Sequence, residues 1–161
     1  MSILHRVVID TDVFFEGFDR IVRPGRPDHP FVDVLDAGIS GEYIALWSEP
    51  TLKELKYMLY DSTKAKQHNF RAHDPQDVVD ILIVKGQSVG SITKRNYNVG
   101  PDRDDDVFVE TAIIGRAEFL VADDYRHFHH VDVKALLDRH GCTVINAADF
   151  VAIIGRTPEH T

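Results

Sequence analysis

The sequence predicts an α/β fold with three layers, α/β/α, and a mostly parallel central sheet. Two observations lead to this class. Short apolar runs rich in β-branched residues alternate along the chain with longer amphipathic segments, which is the order expected of strands connected by helices. The chain has 161 residues, of which 43% are hydrophobic, so it can bury a sizeable core. We therefore expect a single domain over residues 1–161.

Clear local signals predict the first strand and the two helices that follow it. Residues 6–12 (RVVIDTD) predict a short strand covered on both faces, because three consecutive β-branched residues stand in its middle. A helix should follow it. Residues 19–30 hold three prolines and a glycine, which predict a loop, and Pro30 suits the first turn of a second helix.

The middle of the chain contains one clear strand–helix unit and one ambiguous region. Residues 42–48 (EYIALWS) predict a strand, and Ser48 is a start signal for an amphipathic helix. Residues 64–76 are polar and predict a loop. Residues 77–86 fit a helix or a mixed segment, and residues 87–93 predict a short strand.

The last third of the chain alternates regularly. Residues 104–117 predict a helix that begins with three acids, and residues 118–124 (EFLVADD) predict a strand. Residues 133–141 predict a helix that ends at a glycine. Residues 142–146 (CTVIN) predict a strand, and residues 147–155 predict a closing helix. This alternation is the basis for expecting mostly parallel strands.

Charge and cysteine content exclude several classes of protein. The net charge of −8 at pH 7 argues against a sequence-independent phosphate-binding surface, which needs an excess of Lys and Arg. The single cysteine, Cys142, cannot form an internal disulfide and is expected to be buried. The N-terminus lacks the features of a signal peptide, and no apolar stretch approaches the ~20 residues of a membrane span. We therefore expect a cytoplasmic protein that does not enter a membrane.

Acidic residues are the candidates for chemistry, because ligands of a parallel sheet bind beyond the carboxyl ends of its strands. Candidates at such places are Asp10 and Asp12 after the first strand, Asp104, Asp105 and Asp106 at the start of a helix, Asp123 and Asp124 after the strand at 118–124, and Glu54 in the first turns of a helix.

Each of these features has a simpler structural explanation when taken alone. Acids at a helix start can be caps, Glu54 can be a solvated helical residue, and an Asp pair can form a turn. Their convergence favours a function, because neighbouring carboxylates raise one another's pKa unless a cation neutralises them. Oxygen ligands without His or Cys favour Mg²⁺ or Mn²⁺, which can support hydrolysis of a phosphodiester.

Four segments, in this order, resemble the motifs of the PIN domain family: VVIDTDVFF, SEPTLKEL, PDRDDDVFVETAIIGRAEFLVADD and CTVINAADFVAII. The resemblance covers nearly the whole chain. It implies a metal-dependent ribonuclease with Mg²⁺ or Mn²⁺ as cofactor and RNA as substrate. The implied catalytic and metal-binding residues are Asp10, Glu54, Asp105 and Asp124. Further candidates for the metal shell are Asp12, Asp104, Asp106 and Asp123.

The resemblance is closest to small stand-alone PIN proteins that act as toxins of toxin–antitoxin pairs, which implies an antitoxin partner and a homodimer. The chain departs from the family pattern at several positions. Asp12 replaces the usual Asn and adds a charge. Ala122 and Asp123 replace a hydroxyl residue and a glycine, so a hydrogen bond of the family is missing. Arg126 stands where a further acid is common, and it would either supply a phosphate contact or weaken metal binding.

Two alternatives start from the same residues. Asp10-Thr11-Asp12 resembles the first motif of haloacid-dehalogenase-like phosphatases, in which the first Asp is the nucleophile. Phe14 disagrees with that motif. A PIN-fold binding module with a degraded site is the second alternative.

The histidines in HFHH, residues 127–130, complete no zinc pattern. They predict a solvated loop or adventitious metal binding.

Overall fold

A computed structural model describes residues 3–22, 28–61, 65, 75–90, 92, 105–124 and 126–155. Within these ranges the chain forms five strands and seven helices. The strands are β1 (Arg6–Ile9), β2 (Ile44–Trp47), β3 (Gln87–Ser88), β4 (Phe119–Val121) and β5 (Thr143–Ile145). The helices are α1 (Thr11–Val22), α2 (Pro30–Ile39), α3 (Glu49–Tyr60), α4 (Pro75–Lys85), α5 (Asp106–Ile114), α6 (Val131–Arg139) and α7 (Ala147–Ile153).

The five described strands form one parallel sheet in the order β3-β2-β1-β4-β5. Strand β1 is central and pairs with β4 in a register that sets Ile9 beside Val121. Parallel pairing brings the carboxyl ends of these two strands to the same edge. Asp10 and the Asp123–Asp124 pair therefore follow neighbouring strands at one edge of the sheet.

Helices cover both faces of the sheet, which confirms the predicted α/β/α class. Neighbouring side chains of a strand point to opposite faces, so Val7 and Val8 belong to different apolar clusters. Val8 packs in the cluster that includes Phe108 of α5 and Leu137 of α6. Val7 packs in the cluster that includes residues of α1, α2 and α7. The sheet is thus the middle layer of three.

The predicted loop over residues 19–30 is wrong at its start. Helix α1 continues to Val22, because Phe18 and the partly buried Ile21 extend its apolar face into a cluster with α3 and α4. The remainder of the expected loop falls partly on residues 23–27, outside the described residues. Strand β1 is also shorter than predicted, so Asp12 lies in the first turn of α1.

The other boundaries follow their local signals more closely. Ser48 is the N-cap of α3 and forms a capping box with Thr51. The ambiguous segment at 77–86 is helical as far as Lys85. The loop predicted over 64–76 is wrong at its end, since α4 already begins at Pro75. A proline suits the first turn of a helix, where its missing N–H is not needed.

Two expectations outside the acidic residues are tested by the fold. Cys142 is buried as expected, and burial, with a smaller contribution from Asp138, raises the pKa of its thiol to about 12. The thiol is therefore a packing group and not a nucleophile. Within the part of the chain that the structure describes, no helix is both long and apolar enough to cross a membrane.

The central strands should dominate the stability of this domain. Leu120 is fully buried in β4, and we expect Leu120→Ala to lower the free energy of unfolding by about 2–5 kcal/mol. Val131 is an exposed apolar residue at the start of α6, so Val131→Ala is the control and should change stability by less than about 0.5 kcal/mol. Urea denaturation measures both. Equal losses in the two variants would contradict the assignment of the core.

Candidate acidic site

Asp10 lies between β1 and α1 and is held by its backbone. Its N–H donates to the carbonyl of Val121 in β4 (3.0 Å), and its carbonyl accepts the N–H of Phe14 in α1 (3.2 Å). Only 4% of the residue is exposed. The end of the central strand thus places a carboxylate in a nearly closed environment at the carboxyl edge of the sheet.

The surroundings of Asp10 disfavour its charge. Burial raises the pKa of its carboxyl well above the usual range, and the carboxylates of Asp12, Asp105 and Glu54 raise it further, in that order. The backbone hydrogen bond from Thr11 acts in the opposite direction. Three of the acids named from the sequence therefore lie close enough to Asp10 to act on it electrostatically.

Glu54 is positioned by two neighbouring helices. The hydroxyl of Thr11 in α1 donates to Glu54 Oε2 over 3.1 Å. At the start of α3, the hydroxyl oxygen of Ser48 lies 2.8 Å from that of Thr111 in α5, and both residues are fully buried. Hydroxyl contacts therefore tie α3, which carries Glu54, to both α1 and α5.

The acidic run before α5 divides into residues with different surroundings. Asp105 is the N-cap residue of α5, but its side chain does not make the usual capping hydrogen bond, and its charge acts on Asp10. Asp106 is only 2% exposed, and its Oδ1 lies 3.5 Å from Nε2 of His127. Asp104 lies outside the described residues. Of the two described acids of this run, Asp105 is the one that joins the surroundings of Asp10.

Asp123 and Asp124 make contacts of different kinds after β4. Asp123 Oδ1 accepts the N–H of Ala147 at the start of α7 (3.0 Å). Asp124 Oδ1 accepts the N–H groups of Arg126 (2.9 Å) and His127 (3.3 Å), which closes a turn and leaves Oδ2 out of these bonds. Neither carboxylate is among the groups that raise the pKa of Asp10. Arg126 itself has an exposed side chain.

The prediction of a solvated loop for the histidines is wrong for His127. This residue is only 1% exposed, and its ring contacts that of Phe128, with 4.8 Å between the ring centres. His130 is the N-cap of α6, and Nε2 of the partly buried His129 lies 2.7 Å from the carbonyl oxygen of Ala122. The histidine segment itself gave no signal of this burial.

A signal did exist in the sequence of α5. Its residues are apolar apart from Asp106, Glu110 and Thr111, so a helix of this composition has to be buried on most sides. Asp106 and Glu110 are one turn apart and both become buried. Buried carboxylates need polar or charged neighbours, and a nearby histidine is a suitable one.

The chemistry of these donors fits a divalent cation. Asp10, Asp12, Glu54 and Asp105 supply only carboxylate oxygens, and their mutual repulsion would be relieved by a hard cation such as Mg²⁺ or Mn²⁺. Among the described residues, no group of three or more His, Cys, Asp or Glu side chains is already arranged as a metal site. A cation would therefore have to draw these carboxylates together as it binds.

A family model described as PIN domain matches residues 6–126, which include every candidate acid named above. The search of curated proteins finds no match. The search of solved structures also finds none. The match includes β1 to β4 and the helices between them, which are the elements that carry the acidic site.

Replacing Asp10 with asparagine should stabilise the metal-free protein at neutral pH. A carboxyl group whose pKa is raised by folding favours the folded state at low pH, and this contribution is lost as the pH rises through the folded-state pKa. Asn keeps the shape and removes the charge. We expect Asp10→Asn to melt at a higher temperature than the wild type near pH 7 in EDTA, and the difference to shrink towards about pH 4.

The matched control is Asp138→Asn, which removes an exposed carboxylate on α6 and should change the melting temperature little at either pH. Thermal unfolding followed by circular dichroism measures all three proteins. An Asp10→Asn variant less stable than the wild type near neutral pH would contradict the electrostatic account of the site.

Proposed function

Because the chain belongs to the PIN domain family, whose members are generally nucleases, we propose that it is a metal-dependent ribonuclease that hydrolyses phosphodiester bonds of RNA. The observation that carries this proposal is the buried Asp10 with three further carboxylates close enough to act on it. A fold gains no stability from such a group of like charges. A cation that binds there during the reaction would relieve this repulsion.

Asp10, Glu54 and Asp105 would hold the ion, with Asp12 and Asp124 as additional ligands. PIN domains typically use divalent metal ions, and Mg²⁺ or Mn²⁺ suits carboxylate oxygens. When bound, such an ion lowers the pKa of water and offsets negative charge on the phosphate.

The protein's own residues supply orientation. The backbone hydrogen bonds of Asp10 with Val121 and Phe14 fix the position of its carboxylate, and the hydrogen bond from the Thr11 hydroxyl orients Glu54. The net charge of −8 means that a general basic surface would not hold RNA, so binding would depend on the local site. The exposed Arg126 is part of the Asp124 turn, and we assign its guanidinium a contact with an RNA phosphate.

We further propose that the protein is the toxin of a toxin–antitoxin pair in the cytoplasm. The support is the resemblance of its motifs to those of stand-alone PIN proteins that act as toxins. In this role an antitoxin protein would cover the acidic site and block access of RNA. The protein would act as a homodimer, and a single PIN-like domain would carry the activity.

RNA cleavage with and without Mn²⁺ tests the proposal directly. We expect wild-type protein to cut RNA with Mn²⁺ or Mg²⁺ and to lose activity in EDTA, since the ion supplies the chemistry. Asp10→Asn, Glu54→Gln and Asp105→Asn should each lower the cleavage rate at least about 100-fold, because even outer-shell partners of a metal site contribute 10–100-fold. Asp138→Asn should retain wild-type activity.

Two further measurements, of protein mass and of RNA binding, separate the alternatives. A phosphatase would form a covalent aspartyl-phosphate at Asp10, detectable as an increase in mass after incubation with a phosphate ester. A binding module would hold RNA without cutting it. Cleavage that persists in EDTA or in all three variants would contradict the proposed ribonuclease.

The two acids after β4 should give different results when each is replaced. Asp123→Ala removes the acceptor for the Ala147 N–H and should cost about 1 kcal/mol of stability while cleavage continues. Asp124→Asn keeps Oδ1 for the turn but loses the charge, so cleavage should fall at least about 10-fold with stability nearly unchanged. Chemical denaturation and cleavage rates measure both effects. The opposite pattern would assign the functional role to Asp123.

A further inference from the structure

The buried pair formed by Asp106 and His127 connects two parts of the acidic site. His127 Nε2 lies 3.5 Å from Asp106 Oδ1, and both side chains are almost completely enclosed. We propose that His127 is a positioning residue, which acts through this contact to fix Asp105 relative to Asp124. This inference rests on the proposed function, since it concerns how the metal ligands of that site are held.

One end of the connection is the start of α5. Asp106 is the first residue of α5 and directly follows Asp105, whose charge acts on Asp10. A side chain fixed at Asp106 therefore limits how far the backbone of Asp105 can move. The Ser48–Thr111 hydroxyl contact holds the same helix further along, so α5 is fixed at two places.

The other end is the turn after β4. The backbone N–H of His127 donates to Oδ1 of Asp124, so the residue whose ring reaches α5 also holds the second candidate ligand. Phe128 packs edge-on against Phe108 of α5, with 6.1 Å between the ring centres. This aromatic contact packs the turn against α5. The Phe128 ring also contacts the His127 ring and so limits its movement.

The chemistry of the pair favours a positioning role over a purely stabilising one. Asp106 and Glu110 bring two carboxylates into the interior on successive turns of α5. Apolar residues of similar volume often replace buried ion pairs without loss of stability. At 3.5 Å the Asp106–His127 contact is longer than a usual hydrogen bond, but it is a specific contact between two polar groups on separate segments, which apolar packing does not provide. That property is useful where ligands on separate segments must meet one ion.

Mn²⁺ binding by the full chain, followed by electron paramagnetic resonance without RNA, tests the proposal. His127→Leu removes the ring nitrogen, and we expect Mn²⁺ affinity to fall about 10–100-fold, the usual effect of losing an outer-shell partner. His127→Gln can place an amide N–H near Asp106 Oδ1 and should recover most of the affinity. If His127→Leu does not fold, Asp106→Asn takes its place, with the same expected loss.

A destabilised control separates positioning from general loss of structure. Leu137→Ala removes a buried side chain of α6 in the same apolar cluster and should lower the melting temperature while leaving Mn²⁺ affinity unchanged. Wild-type affinity in His127→Leu, or an equal loss of affinity in Leu137→Ala, would overturn the positioning role alone. A wild-type protein that binds no Mn²⁺ would overturn the proposed function as well.

Discussion

The burial of Asp10 is the constraint on which the rest of the site depends. Ionising a carboxylate there is disfavoured first by the loss of water and then by three neighbouring acids. Backbone hydrogen bonds to β4 and α1 hold the residue in place. The metal-free protein must therefore either keep a proton on Asp10 or tolerate an unfavourable charge. A cation would remove that conflict, so stability and proposed activity depend on the same residue.

The sheet order explains why these acids lie near one another. Strand β1 is central, so the residue after it lies between the segments that leave β2 and β4 at the same edge. Helix α1 begins at this edge, and Asp105 stands at the start of α5. Helix N-termini carry a partial positive charge, which partly offsets acids placed there. Hydroxyl and imidazole contacts then connect the segments that carry the acids: Thr11 with Glu54, Ser48 with Thr111, and His127 with Asp106.

Much of the fold follows from local sequence, because β-branched runs and capping residues act over a few positions. The central strands and the Ser48 cap belong to this part, whereas the grouping of Glu54 and Asp105 around Asp10 follows from the order of the strands in the sheet. The burial of His127 could not be predicted from HFHH, because it depends on α5 coming from an earlier part of the chain. The different contacts of Asp123 and Asp124 likewise depend on α7 and on the turn after β4. Contacts between segments that are far apart in the sequence determine the burial and the hydrogen bonds of these residues.

The central claim is that Asp10 has a raised pKa that a cation lowers. A carboxyl-carbon NMR titration of Asp10, carried out in EDTA and then with Mg²⁺, measures this directly. The account predicts a pKa above the usual aspartate range without metal and a clear decrease when Mg²⁺ binds, because the ion stabilises the ionised form. An ordinary pKa without metal, or one that Mg²⁺ leaves unchanged, would contradict it.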